Sequence, residues 1–326
     1  MSHEIDEVSK GRASYASTKK EWHGLGELMV AGQSIEEWQK AAGMDYEIQK
    51  ACVRYYTSAE HEQMNLETLS GKVVLLRSDT KKGLAVVSNN YKIVQPKEVL
   101  EFFRGWADAG GLTIESAGVL FEGKRYFATA KLSEGVAVGN DDRVVPYALL
   151  STSADGTLAT ECRWTTVRTV CNNTLSMALR SDTNYKASHR TVFDVARAKD
   201  SVEGAREDFC AFMKATRELS MIRVNSAKAA ELTARMLKLD KNDEKTGKNY
   251  GYSSIMSLFS GGGKGSQLES ARGTAWGWVN ACTDYVDHQA RARGDSADDN
   301  KVANALWGRG DALKSNALEV ALELVG

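Results

Sequence analysis

No stretch of the 326-residue chain approaches the ~18 consecutive apolar residues that a membrane-spanning helix needs. The polar run from Ser2 to Lys10 stands where an export signal carries a basic segment followed by an apolar one. A cytoplasmic protein that makes no membrane contact is therefore expected. The five cysteines (Cys52, Cys162, Cys171, Cys210, Cys282) are odd in number, lie far apart and form no C-x-x-C pair, so the common zinc and thiol-redox patterns are excluded and reduced core thiols are expected. Neither sign of charge prevails: 42 Lys and Arg against 43 Asp and Glu leave a formal net charge of -1, and any nucleic-acid binding must come from a local patch. Missing too are a G-x-S-x-G nucleophile elbow and a Cys/His nucleophile pattern, and no cofactor is expected.

What is present is ordinary globular material, 42% hydrophobic and 26% charged, enough for one large domain or two smaller ones. Three regions are expected: an N-terminal arm and helical layer over 1–65, a β-rich core over 66–195 and a helical region over 196–326. In the first, Ile35, Trp38 and Ala42 recur at helical spacing. From about residue 70 the period shortens to strands at Val73 to Arg77, Leu84 to Ser88 and Tyr91 to Gln95, with turns at Lys82-Gly83 and Asn89-Asn90. Pro96 opens a helix with the stripe Val99, Leu100, Phe103 and Trp106, which stops at Gly110-Gly111. An antiparallel meander follows at Leu112 to Phe121, Lys124 to Leu132, Val144 to Ser151 and Thr157 to Thr166, with Glu122-Gly123 and Asp155-Gly156 as turns. A further helix is predicted from about Val170 on the spacing of Cys171, Leu175, Ala178 and Leu179.

Beyond residue 195 the period is helical: Val202, Ala205, Phe209, Phe212, Thr216 and Leu219 mark a long amphipathic helix, and Asn225 is the predicted N-cap of the next. Asp240 to Gly251 and Ser260 to Ser266 read as loops, and helices are predicted over Thr274 to Ala292 and about Asn300 to Leu324. The fold class expected is α+β, an antiparallel β-meander with packed helices followed by a helical C-terminal half.

Candidate chemistry is sparse. Ser260 to Ser266 is glycine-rich, but Leu258 stands where the first glycine of G-x-x-x-x-G-K-[ST] must be and Gly265 replaces the Ser or Thr, so it reads as a flexible loop. Asp284, Asp287 and His288 share a helical face and could begin a metal site or simply meet solvent; no metal is expected. Arg163, Trp164 and Arg168 lie on a strand feeding the predicted helix, on which Asn172, Ser176 and Arg180 repeat every four residues, and Asn173 adjoins them. Cations and amides near a helix start can hold phosphates while an aromatic stacks a base; equally, Trp164 can be core and the arginines can be paired to acids. Lys124, Arg125 and Tyr126 open a hairpin strand and form a second basic and aromatic cluster, or an ordinary exposed hairpin.

The segments Trp22-His23-Gly24-Leu25-Gly26, Tyr91 to Pro96, Val167 to Leu175, and Gly273 to Gly277 with Asn280, Tyr285 and His288 resemble, in order, the blocks of a phage- and plasmid-borne family of unknown function. Glu21 departs from that family's proline before the Trp-His pair. The strand and helix order over 70–180 is more distantly similar to the single-strand-annealing recombinases of phages, the Redβ, RecT and Erf group. That resemblance implies a DNA-annealing protein of recombination that hydrolyses no nucleotide, forms rings or filaments on single-stranded DNA and works in a bacterial host cell. On it, Arg163, Arg168 and Arg180 would hold phosphates, Asn172 and Asn173 would hydrogen-bond sugar or phosphate, Trp164 would stack, and Lys124, Arg125 and Tyr126 would add contacts. The alternatives are a scaffold or host-interaction protein of a mobile element and a metal-dependent nuclease.

Overall fold

Strand-forming runs fill the first half of the chain and helical periods the second. The structure, a computed structural model, describes residues 7–8, 12–13, 15–17, 27–30, 33–57, 66–140, 142–170, 173–176, 185–187, 195–240, 243, 245–291 and 297–325. In chain order the strands are β1 (Glu7–Val8), β2 (Arg12–Ala13), β3 (Tyr15–Ser17), β4 (Glu27–Leu28), β5 (Ile48–Tyr56), β6 (Leu66–Arg77), β7 (Gly83–Ser88), β8 (Thr113–Leu120), β9 (Arg125–Lys131), β10 (Val136–Ala137), β11 (Arg143–Ser153), β12 (Thr160–Arg168), β13 (Asn173–Ser176) and β14 (Tyr185–Ala187). The helices are α1 (Ile35–Ala41), α2 (Pro96–Ala109), α3 (Val195–Met221), α4 (Ser226–Met236), α5 (Tyr250–Ser257), α6 (Ala275–Asp284), α7 (Ala297–Trp307) and α8 (Arg309–Leu322). The α+β class read from the sequence is the class observed.

The larger sheet runs β13-β12-β11-β9-β8-β3-β4, with β10 on β11 and β14 on β12; among the described residues its one parallel pair is β3 with β4. Both faces of its centre are covered, because alternate residues of a strand point to opposite sides and here both sets are apolar or paired. On one face Ala130, Ala148 and Trp164 are cross-strand neighbours, and Trp164 meets Trp106 of α2 with ring centroids 5.7 Å apart. On the other, Leu120, Phe127 and Leu149 pack against Val302, Leu306 and Trp307 of α7. The smaller sheet, β5-β6-β7, is antiparallel and is tied to α2 by Gln95, whose side chain accepts from Ile48 N at 2.8 Å and donates to Ile48 O at 3.1 Å.

Helix ends follow the expected chemistry. Pro96 sits in the first turn of α2, and Glu98 accepts the Gln95 N–H at 2.7 Å. Asn225 caps α4 by accepting from Lys228 N.

Four predicted elements differ. Residues 48–56, within the region expected to hold an arm and a helical layer, form β5. Tyr91 to Gln95 is not a strand: the Tyr91 N–H turns back to Ser88 O at 2.9 Å, while the Tyr91 hydroxyl donates to Ala154 O at 3.0 Å and the Gln95 side chain clamps β5. The helix predicted from Val170 is instead the edge strand β13, in which Asn173 to Ser176 fill the open ladder of β12 from Arg168 back to Thr165. Leu175 is buried either way, because a strand also sends alternate residues inward; Cys171, Ala178 and Leu179 lie outside the described residues. The C-terminal helix is broken into α7 and α8 at Gly308, where a Cβ would come within 2.8 Å of Asn304 Cα. Of the predicted loop Asp240 to Gly251, Thr246–Lys248 form a short 3-10 turn and α5 already begins at Tyr250.

Candidate nucleic-acid interface

Two of the three cations expected to hold phosphates, Arg163 and Arg168, do not share a surface. Arg163 and Arg168 are five residues apart on β12, an odd spacing that sends them to opposite faces of the sheet. Arg168 is 2% exposed, donates to Asp142 Oδ1 at 2.6 Å and Oδ2 at 2.9 Å, and also donates to Gly265 O at 3.1 Å. The buried Asp142 carboxylate further accepts from Ser270 Oγ at 2.6 Å and Trp276 Nε1 at 3.1 Å. This pair joins the sheet to the glycine-rich loop and α6, and leaves Arg168 no free donor face for a ligand. Arg163 is neutralised by Glu161 at 2.8 Å and Asp311 at 3.2 Å.

The expected aromatics are core residues. Trp164 is 3% exposed, and Tyr126 is 1% exposed with its hydroxyl 2.8 Å from that of Tyr46. Of the hairpin cations, Lys124 and Arg125 are half-buried, Arg125 lying over the Phe121 ring at 5.2 Å. Asn173 belongs to β13 and pairs through its backbone with Arg168, while Asn172 and Arg180 lie outside the described residues, as do Trp22 to Gly26. Packing wins over stacking here for a simple reason: the meander is covered on both faces, so a large side chain on it has nowhere to meet a base.

The acidic and histidine face also has an internal use. Asp287 Oδ1 pairs with Lys314 at 2.7 Å, Asp287 Oδ2 accepts from Thr174 N at 2.6 Å, and Lys314 Nζ donates to Thr174 Oγ1 at 2.6 Å. Both members of that pair are buried, so α8, the turn after α6 and β13 are locked together by one ionic contact. Among the described residues no three His, Cys, Asp or Glu side chains gather as metal ligands.

Asp284, also buried, has its carboxyl pushed above the usual 3.8 by burial and by the nearby Asp287 charge, against the pull of His288, Lys264 and the Lys264 amide. A folded-state value above the unfolded one means that the native state holds the proton more tightly. The resulting stability is fully present below about 3.8 and is lost as the pH rises through the raised value. Asp284→Asn is therefore expected to raise the melting temperature at neutral pH, with an advantage that shrinks as the pH falls toward 3.8. Thermal melts of both proteins from pH 4 to 8 check this, and an advantage independent of pH would show that the carboxyl is not held up by burial.

The basic surface lies elsewhere, on the smaller sheet. Among the described residues Lys50, Arg54, Lys72, Lys81, Lys82 and Lys92 are all exposed on or beside it, against the acids Glu47, Glu67 and Asp79. Asp79 is committed to Arg77 at 2.7 Å, and that bond, with backbone N–H groups, holds its carboxyl below the usual range. Lys82 is partnered by Glu122, and Lys50 Nζ reaches Asn89 O at 2.9 Å. Beyond the reach of β7, which pairs with β6 only from Lys72 to Leu76, β5 and β6 continue as a two-stranded ribbon with Arg54 opposite Thr68 and Tyr56 opposite Leu66. Gly71 adopts the left-handed φ of +74° close to the register shift between Cys52 and Arg54. Tyr55 is 48% and Tyr56 61% exposed. The run Gln49 to Tyr56 carried this signal in the sequence, Val53, Tyr55 and Tyr56 set among Lys50 and Arg54, but it fell within the region 1–65 read as an arm and a helical layer.

Residues 83–307 match a family described as "Domain of unknown function (DUF932)". No curated protein and no solved structure matches the chain. The matched segment opens with β7, so β5 and β6 precede it.

Proposed function

We propose that this chain, which belongs to the DUF932 family, binds single-stranded DNA along the β5–β6 ribbon and anneals complementary strands without nucleotide hydrolysis. The observation that carries the reading is the concentration of exposed cations and exposed tyrosines on one small sheet of a chain whose net charge is -1. Cations on a strand neutralise phosphates whatever the sequence, and an exposed ring stacks on an unpaired base, leaving base edges open to pair with a second strand. Lys50, Arg54 and Tyr56 share one face of β5, Arg54 and Tyr56 at the ~6.6 Å spacing of every second strand residue and Lys50 two such steps from Arg54, which suits an extended single strand. The resemblance to mobile-element proteins and to annealing recombinases points the same way and supplies the recombination context.

The test is a fluorescence-anisotropy titration of labelled single-stranded and duplex oligonucleotides at two salt concentrations. Tight, salt-sensitive binding of the single strand is expected, and Arg54→Ala should flatten its log-log salt slope by about 0.7. Tyr56→Ala should weaken binding by ~1–3 kcal/mol without lowering the melting temperature. Wild-type affinity and slope in both variants would place the interface off the ribbon, and absence of salt-sensitive binding would end the nucleic-acid reading.

A further inference from the structure

We infer that the outer face of the β5–β6–β7 sheet packs on the same face of a second copy of this chain, so that the protein is built from two-fold pairs of protomers. Strand alternation and the cross-strand register place Val53, Tyr55, Leu69, Val74, Leu76 and Val86 on one side of this sheet. The opposite side carries Val73, Leu75 and Val87, which are buried or packed against the main core. None of the six outer residues joins either apolar cluster among the described residues, and Val86 is 57%, Tyr55 48% and Leu69 41% exposed. Six neighbouring apolar side chains on a flat pleated surface form a patch of the kind that marks an interaction site, not scattered surface apolarity.

Three features choose a second copy as the occupant. The first is charge: the outer face carries the cations Lys72 and Lys81, the latter donating to Gln49 at 3.4 Å, against the anions Glu47 and Glu67, whereas Lys50 and Arg54 stand on the other face, so among the described residues this side has no charge preference for a polyanion. The second is shape and size. The 12 residues of β6 span about 40 Å, and three strands at ~4.8 Å spacing give a footprint on the order of 500 Å². Doubling that footprint in a symmetric pair reaches the roughly 1,000 Å² that a specific interface needs. Two such sheets stack about 10 Å apart with interdigitating aliphatic side chains, as the layers of a sandwich do. The third is stability: the ribbon beyond β7 has two strands and is exposed on both sides, and a lone two-stranded hairpin is marginal in water. Covering its apolar side by a second copy leaves the side with Arg54 and Tyr56 open.

Light scattering after size-exclusion chromatography reads the result on the full chain. Wild-type protein is expected at twice 35.6 kDa or a larger even assembly, and Val86→Asp is expected to halve that mass with an unchanged circular-dichroism spectrum. The salt slope of oligonucleotide binding per protomer stays as in wild type, which separates this interface from the proposed DNA-binding face. Should Val86→Asp lower the melting temperature, hydrogen exchange of the wild type at low and high protein concentration reads the same face without a substitution, and protection of residues 51–55 and 83–88 must rise with concentration. A wild-type mass of 35.6 kDa at ~100 μM, pairing only when an oligonucleotide or another protein is added, or a Val86→Asp protein of wild-type mass each overturns the inference.

Discussion

Replacing Asp142 with alanine is expected to lower the unfolding free energy by about 3–5 kcal/mol, because it takes away the buried carboxylate that neutralises the Arg168 guanidinium in the interior. The carboxylate is 1% exposed and accepts four hydrogen bonds, two from Arg168 and one each from Ser270 and Trp276, so its removal also strands a buried hydroxyl and an indole N–H. Arg168 keeps only Gly265 O of the partners named above, which cannot balance a charge. The double variant Asp142→Leu/Arg168→Met, which removes both charges at similar volume, is expected to recover most of the loss. Urea melts of wild type, single and double variants decide the matter. A single-variant loss below about 1 kcal/mol would mean that water reaches the site.

Trp164→Ala is expected to cost about 3–5 kcal/mol, the range for deleting a large aromatic from a close-packed core. The indole is buried between β12 and α2, against Trp106 at 5.7 Å and a 49° interplanar angle, a tilted pairing that adds to the area term. The same substitution measured by anisotropy separates the two roles open to Trp164 from sequence. A base-stacking residue would lose affinity at unchanged stability. The buried geometry instead predicts a large drop in urea midpoint, with the folded fraction binding oligonucleotides as wild type does. Weakened binding at an unchanged midpoint would return Trp164 to the interface.

The meander was legible because its strands alternate and its turns carry residues that accept positive φ: Glu122 and Gly123 sit at +57° and +107°, and Gly156 at +75°. Helix α2 was legible from Pro96 at its start and a stripe spaced by threes and fours. Leu175 shows where such patterns become ambiguous. A short apolar recurrence fits one helical turn or two inward strand positions, and only the unfilled edge of β12 selects the strand. The surface roles expected of Arg168 and Trp164 fail for a related reason, since both are buried. A basic and aromatic string such as Glu161 to Arg168 reads identically whether its partners are phosphates or buried carboxylates; Glu161 lies two residues from Arg163, but Asp142 and Asp311 stand 26 and 148 residues away from Arg168 and Arg163.

By itself the sequence determined the class of fold, the meander, the long helix α3 and the inward stripes, all of which follow from local periodicity and turn chemistry acting over a few residues. Tertiary structure alone decided which charges are internal and which remain on the surface. It enclosed Arg168 and Lys314 with the acids that neutralise them, and it carried Arg54 and Tyr56 out on a ribbon beyond the reach of β7. A charge is buried or exposed according to what lies across the fold from it, and that partner is set by packing between distant segments, which no local spacing encodes.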